Sequence, residues 1–226
     1  MWGIIVNVLS IIFGSTLGFL VGKKLPDSMS DTIMHGLSLA ICLIGIKMAL
    51  STQNVLIIIL SCVIGGILGE VGDIEGKVNR LGRWVEDRFS KGQKTGALTK
   101  AFVASSLVFC VGAMAIIGPL ESVINHNHSV LYAKSTLDGI TSVVFASVMG
   151  PGVALSSFAV LLYQGSIALL AVWVQPLLND QIITEITATG GLLILGIGLN
   201  LLKLTTIKIG NLLPAIIIAP FLVCLL

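Results

Sequence analysis

Charge is what this sequence has least of. Only 11% of its 226 residues are Asp, Glu, Lys or Arg, while 55% are hydrophobic and the mean hydropathy is +1.04. Soluble domains carry about 25% charged residues, so this composition excludes an ordinary soluble protein. The net charge of +2 provides no basic surface for nucleic acid, because the basic residues are spread over short stretches between apolar runs. The composition predicts a membrane protein surrounded by the lipid bilayer.

Several signatures of enzymatic and metal chemistry are missing. The chain contains no GxxxxGK(S/T) loop, no HExxH and no GxSxG, which argues against ATP-driven transport, zinc proteolysis and serine hydrolysis. Its four cysteines lie inside apolar segments without a CxxC spacing. His126 and His128 stand without acidic or thiol partners, a weak pattern for metal binding. We therefore expect no enzyme, no metal site and no cofactor.

Long apolar runs are what the sequence has in abundance. A spanning helix requires roughly 20 apolar residues. We predict an all-α polytopic integral membrane protein with about eight transmembrane segments, or seven if one is re-entrant. The predicted segments are 2–22, 32–50, 54–72, 98–118, 131–149, 152–176, 186–202 and 210–226.

The basic residues predict an orientation for these segments. Lys and Arg concentrate in cytoplasmic loops, and an outside N-terminus places all of the 13 basic residues except Lys47 and Lys134 in inner connections. The first apolar run is followed, not preceded, by Lys23 and Lys24, which is the reverse of a signal peptide. We predict a multi-pass protein with its N-terminus outside.

The chain also resembles itself. ICLIGIKMAL at 41–50 is similar to LLILGIGLNL at 192–201, and the predicted topology makes the segments around them antiparallel. Inverted repeats are typical of secondary transporters, with the binding site at the repeat interface. We therefore divide a single transmembrane domain, 1–226, into repeat one at 1–72, a cytoplasmic loop with an amphipathic helix at 73–97, central spans with Gly-Pro breaks at 98–151, and repeat two at 152–226.

Asp138 is the strongest functional candidate, because ionisable groups inside a span are costly and mark function by default. It follows Lys134 by four residues, so the two side chains can pair on one helix face. Two interpretations stay open. The pair fixes the helix near its outer end, or Asp138 binds a cation, a proton or a substrate amine.

The run from Asp138 to Gly165 is interrupted at Gly150-Pro151-Gly152. Broken helices mark binding sites in transporters, and the alternative is an ordinary tight turn between two spans. Helix amides after Gly152 would suit a carboxylate, whereas buried hydroxyl and amide side chains often serve only helix packing. We expect Gly118-Pro119 to end the fourth span. The candidate substrate- or ion-binding residues are Asp138, Lys134, Ser142, Gly150, Pro151, Gly152, Ser156, Ser157, Gln164, Asn7 and Asn200.

Four segments carry a resemblance to a known family over essentially the whole chain. VFCVGAMAIIGP, KSTLDGITSVVFASVMGPGV, LLYQGSIALLA and NLLPAIIIAP resemble the YqgA/YdfK-like bacterial membrane proteins of unknown function (DUF554-type). The resemblance implies a polytopic protein of the bacterial cytoplasmic (inner) membrane. It supplies no substrate, cofactor or catalytic residue.

These observations favour a secondary transporter of a small polar solute or ion. An ion channel or oligomeric pore is the alternative, and a membrane scaffold or assembly factor is the second. Gly14, Gly18 and Gly22 form a tandem GxxxG face on the first span, which can pack against a second subunit or within the chain. The glycine face is therefore compatible with a homo-oligomer and also with packing inside a single chain.

Overall fold

The computed structural model describes residues 1–80 and 96–225. All regular structure in these two ranges is helical, which confirms the all-α class. The helices are α1 (Trp2–Gly22), α2 (Asp27–Ala49), α3 (Val55–Val71), α4 (Ile74–Arg80), α5 (Ala97–Cys110), α6 (Ala113–Ile124), α7 (Ser129–Met149), α8 (Gly152–Leu169), α9 (Ala171–Val174), a 3₁₀ turn (Gln175–Leu177), α10 (Asp180–Leu201), α11 (Ile209–Leu212) and α12 (Pro214–Val223).

The described helices include four to six candidate membrane spans. Helices α1, α2, α8 and α10 are each long and apolar enough to cross a bilayer. The pairs α3–α4 and α5–α6 reach that length together but bend by 57° and 59° at short breaks. Helix α7 has the same length as α1, but Lys134, Asp138 and its hydroxyl residues make it less apolar. The protein is therefore polytopic, and the count of eight spans stays a prediction.

The chain divides into two compact units, of which the first contains residues 1–37 and 101–180. In this unit α1 and α7 run parallel with their backbones in contact. A Cβ added at Gly14, Gly18 or Gly22 would collide with the backbone of α7, at Gly139, Val143 and Ser147 respectively. The glycine face of α1 is thus occupied within the chain, so it no longer supports packing against a second subunit.

A tight turn at Gly150 reverses the chain between α7 and α8. Gly150 has a φ of +83°, in the region that residues with a Cβ rarely adopt. Helix α8 therefore runs antiparallel to α7, and also to α1, which is parallel to α7. Gly150-Pro151 joins two helices of 21 and 18 residues. Of the two alternatives, the structure therefore favours an ordinary turn between two helices over a break within a single span.

The break in the fourth predicted span lies at Gly112, and the prediction that Gly118-Pro119 ends this span was wrong. Helix α6 continues through Pro119 to Ile124. Gly112 precedes α6 with a φ of +124°, which only glycine adopts readily. A proline inside a membrane helix is tolerated when neighbouring groups satisfy the carbonyl that it frees.

The second unit contains residues 38–100 and 181–226, with 81–95 outside the described residues. The C-terminal part of α2 packs antiparallel on α10, where Gly45 and Gly198 contact the partner helix. Helix α3 packs antiparallel on α11 and α12, with Gly65 against Ala215 and Gly69 against Asn211. Small residues let membrane helices approach closely, and these contacts hold the unit together.

Side chains join the end of α3 to the start of α11. The Glu70 carboxylate accepts hydrogen bonds from Lys208 at 2.7 Å and from Asn211 at 2.6 Å. The hydrogen bond to Glu70 raises the pKa of Lys208 above its ordinary value. The amphipathic helix predicted after this point is helical over Ile74–Arg80, and its remaining residues lie outside the described ranges.

Candidate functional site

Asp138 and Lys134 form a buried ion pair on one face of α7. The ammonium Nζ lies 2.9 Å from Oδ2 and 3.1 Å from Oδ1 of the carboxylate. Each residue is only 6% exposed. The pairing predicted from their spacing of four residues is confirmed. Two opposite charges buried this deeply stabilise each other, since an unpaired charge in apolar surroundings is very costly.

Two amide side chains from other helices complete the cluster. Asn7 of α1 donates from Nδ2 to Asp138 Oδ2 at 3.1 Å and, over a longer distance of 3.4 Å, to Gln164 Oε1 of α8. Both amide residues are fully buried. The structure therefore brings together four of the predicted site residues, Asn7, Lys134, Asp138 and Gln164, from the consecutive helices α7 and α8 and from α1, which is more than 100 residues away in sequence.

The sequence of α1 explains why Asn7 reaches α7. Asn7 lies on the same helix face as Gly3 and Gly14, which both contact α7 directly. A helix face made of small residues draws the two backbones together, so a medium-length side chain on that face must insert between them. Asn7 inserts beside the Asp138 carboxylate, where its amide protons find an acceptor.

Two atoms of the cluster have no hydrogen-bond partner. Asn7 Oδ1, an acceptor, and Gln164 Nε2, a donor, are both buried and unpaired. The other unpaired buried side-chain atoms of the described residues are hydroxyl groups of Ser and Thr. A buried polar group without a partner costs about 1–3 kcal/mol, so the two amides keep unused hydrogen-bonding capacity inside the first unit.

The predicted serines, Ser142, Ser156 and Ser157, donate their hydrogen bonds within their own helices. Their hydroxyl protons are donated to carbonyls of their own helices, from Ser142 to Asp138 O, from Ser156 to Val153 O and from Ser157 to Ala154 O, each at 2.6 Å. This bonding to the preceding helical turn is a common alternative for serine. All three are buried, and only their lone pairs remain free for a ligand.

The Gly150-Pro151-Gly152 turn is not where the polar side chains meet. Gly150 follows Asp138 by twelve residues, or about 18 Å along the helix. The amide of Val153 donates to Gly150 O and that of Ala154 to Pro151 O, so two amides at the start of α8 already have acceptors in the turn. A binding role for Gly150, Pro151 and Gly152 stays a prediction.

A different break lies closer to the ion pair. Cys110 ends α5 immediately before the bend at Gly112. The Phe109 ring stacks on Phe145 of α7 at a centroid distance of 6.1 Å. The end of α5 before the bend therefore packs against α7, the helix that carries the ion pair.

Asn200 does not belong to this cluster. It lies in the second unit, where it donates to Ile207 O and accepts from Ile207 N and Thr205 Oγ1 at 2.8–2.9 Å. These bonds close the loop after α10. Asn200 therefore caps this loop, and its predicted binding role stays a prediction.

Sequence analysis missed Glu185, a fully buried carboxylate of the second unit. It accepts from Thr52 Oγ1 at 2.6 Å and from the backbone amides of Gln53 at 2.7 Å and Asn54 at 3.3 Å. The signal was present, since Glu185 is an acidic residue within an otherwise uncharged stretch of α10. Such residues inside a span are candidates by default.

Comparison with known proteins identifies the family. The model described as "Protein of unknown function (DUF554)" matches residues 2–224. The chain belongs to the DUF554 family. This confirms the resemblance inferred from the four sequence segments, and the match extends over all the helices of both units.

Two relatives align with nearly the whole chain. The "Uncharacterized membrane protein YdfK" of Bacillus subtilis (strain 168) is 35% identical over 226 residues, covering 97% of this chain and 94% of the relative. The "Uncharacterized protein YqgA" of Escherichia coli (strain K12) is 28% identical over 220 residues, covering 96% and 94%. No solved structure matches the chain.

Proposed function

We propose that this protein is a secondary transporter of a small polar solute or ion across the bacterial cytoplasmic membrane. The site is the cluster of Asn7, Lys134, Asp138 and Gln164. The observation that carries the proposal is a buried ion pair flanked by two amides with unpaired atoms, inside a unit of apolar helices. Polar groups at such positions are costly and are kept for function.

The arrangement of helices supports an inverted repeat. Each compact unit contains corresponding segments of both predicted repeats: α1 and α8 in the first, and the C-terminal half of α2 with α3, α10, α11 and α12 in the second. Within its unit each corresponding pair is antiparallel, as judged from the contacts of Asn7 with Gln164, Gly45 with Leu195, and Gly69 with Asn211. Equivalent helices of opposite direction are what an inverted repeat requires.

The same directions agree with an N-terminus outside. Parallel α1 and α7 both run inward in that topology, and α8 runs outward. The Glu70–Lys208 ion pair of 2.7 Å joins the two inner connections of the second unit. On this proposal the chain crosses the membrane eight times, with α5–α6 as one bent span and α11–α12 as the last.

The test is solute flux in proteoliposomes that contain the purified protein. Radiolabelled amino acids, small carboxylates and monovalent cations are offered with and without the same unlabelled solute inside. We expect saturable uptake stimulated by internal solute, reduced at least tenfold in Asp138→Asn, which keeps an acceptor for Lys134. Asp180→Asn is the matched control, because Asp180 is exposed and makes no contact with the cluster.

The other function classes give different outcomes. Conductance that does not saturate with solute concentration would replace the transporter by a channel or pore. Folded protein without flux or conductance for any solute would favour a scaffold. Uptake equal in Asp138→Asn and the unchanged protein would remove the cluster as the binding site.

A further inference from the structure

The charges of the site cancel within the protein. Lys134 and Asp138 are in contact through both carboxylate oxygens, and each is almost completely buried. Asn7 adds a third hydrogen bond to the carboxylate. A ligand with a net charge would remain uncompensated here, and an uncompensated charge in a dry site is very costly.

The two unpaired atoms define what a ligand must offer. The carboxylate of Asp138 only accepts hydrogen bonds, so the nitrogen of Asn7 must face it and Asn7 Oδ1 must point elsewhere. Gln164 presents Oε1 to the same Asn7 nitrogen, which leaves its Nε2 free. One open acceptor and one open donor result, from amide groups that touch each other at 3.4 Å.

The two open atoms belong to amide groups that contact each other. Each shares an amide carbon with an atom of the Asn7–Gln164 contact, so their separation is at most the length of that contact plus two amide widths. Because one is an acceptor and the other a donor, a small solute that carries both a donor and an acceptor complements them.

We propose that the site selects a small solute without net charge that presents a hydrogen-bond donor to Asn7 Oδ1 and an acceptor to Gln164 Nε2. Primary carboxamides, urea and amino-acid zwitterions share this chemistry. The inference rests on the proposed function and names its substrate class. It replaces the expectation of an anion held by the amides of α8, two of which already donate to the turn before them.

The experiment measures binding to the purified protein in detergent, without requiring transport. Alanine, acetamide and urea represent the selected class, and sodium acetate and methylammonium chloride are the charged counterparts of similar size. Thermal unfolding is followed against probe concentration, since a ligand that binds only the folded state raises stability with its concentration. We expect a dose-dependent rise in Tm with at least one probe of the neutral class and with neither ion.

Gln164→Met removes the open donor and keeps a side chain of similar length. We expect it to raise the Kd of the neutral probe at least tenfold, while Gln175→Met, a change at an exposed glutamine of the same unit, leaves the Kd unchanged. If Gln164→Met does not yield folded protein, Gln164→Leu removes the same donor with a shorter apolar side chain. Equal Kd values in the Gln164 variant and the unchanged protein would overturn the inference.

Other outcomes separate this inference from the proposed function. Stronger binding of acetate or methylammonium, with flux that depends on Asp138, would retain the transporter and overturn the neutral substrate class. Binding of a neutral probe without flux in proteoliposomes would retain the site and overturn the transporter. Absence of binding by every probe to folded protein would overturn the inference, because the open atoms would then hold only water.

Discussion

Asp138 and Glu185 are both buried carboxylates, but the two units satisfy them in different ways. Asp138 accepts only from side chains, those of Lys134 and Asn7. Glu185 accepts from two backbone amides and one hydroxyl of the turn that begins α3. Among the described residues, Lys134 pairs with Asp138, whereas no Lys, Arg or His forms an ion pair with Glu185.

The two carboxylates differ in the freedom of their partners. A side chain can change rotamer while the backbone stays in place, so on the proposed function the partners of Asp138 rearrange around a solute. Backbone amides move only when their turn unfolds, so Glu185 fixes the connection between α2 and α3 to α10. Burial and charge alone would rank the two carboxylates equally, and the type of donor is the observation on which we base the proposed difference between them.

The largest effect is expected from Lys134→Met, which leaves the Asp138 charge buried without its cation. Breaking a buried ion pair by removing one partner typically costs about 3–5 kcal/mol. Thermal or denaturant unfolding in detergent should therefore show a strongly destabilised protein.

The double variant Lys134→Met with Asp138→Leu is the matched control. It removes both charges, and replacing a whole buried pair by apolar residues is often neutral for stability. We expect recovered stability without solute binding. A double variant as unstable as Lys134→Met would contradict the ion pair as the source of the effect.

An intermediate effect is expected from Glu185→Gln. The amide oxygen still accepts from the backbone of the α3 turn, but the charge is lost and the new amino group faces Thr52 Oγ1. We expect a loss of about 1–3 kcal/mol in stability and an unchanged Kd for solute. Impaired binding at unchanged stability would instead assign Glu185 to the function and remove the contrast with Asp138.

The smallest effect is expected from Ser142→Ala. Its hydroxyl donates to a carbonyl of its own helix, and side-chain hydrogen bonds in membrane helices contribute on average about 0.6 kcal/mol. Unfolding and solute titration should both stay close to the unchanged protein. A Kd at least ten times that of the unchanged protein would instead show that the Ser142 hydroxyl contributes to solute binding.

The sequence predicted most of the helices and the centre of the cluster. The spacing of Lys134 and Asp138 determines their pairing, because residues four apart on a helix are neighbours whatever surrounds them. The boundaries of α1 and α7 follow from their apolar length. Local rules of this kind need no knowledge of the tertiary structure.

Tertiary contacts determine the features of the fold and of the cluster that the sequence did not predict. Gly118-Pro119 was predicted to end the fourth span, whereas the chain bends at Gly112, where the positive φ favours glycine. Asn200 and Glu185 are both polar residues in apolar surroundings, yet each binds a turn whose position depends on neighbouring helices. Asn7 and Gln164 meet at the ion pair for a reason that the sequence does not contain, which is the contact between α1, α7 and α8.

The glycine contact between α1 and α7 has a mechanical consequence. Because the backbones of α1 and α7 meet at Gly14, Gly18 and Gly22, we expect these two helices to move together with Asn7, Lys134 and Asp138. Gln164 lies on α8, which follows the Gly150 turn, and it is joined to Asn7 by one long hydrogen bond. We expect α8 to act as the gate, so a disulfide cross-link from α8 to α1 should stop flux that a cross-link from α7 to α1 permits.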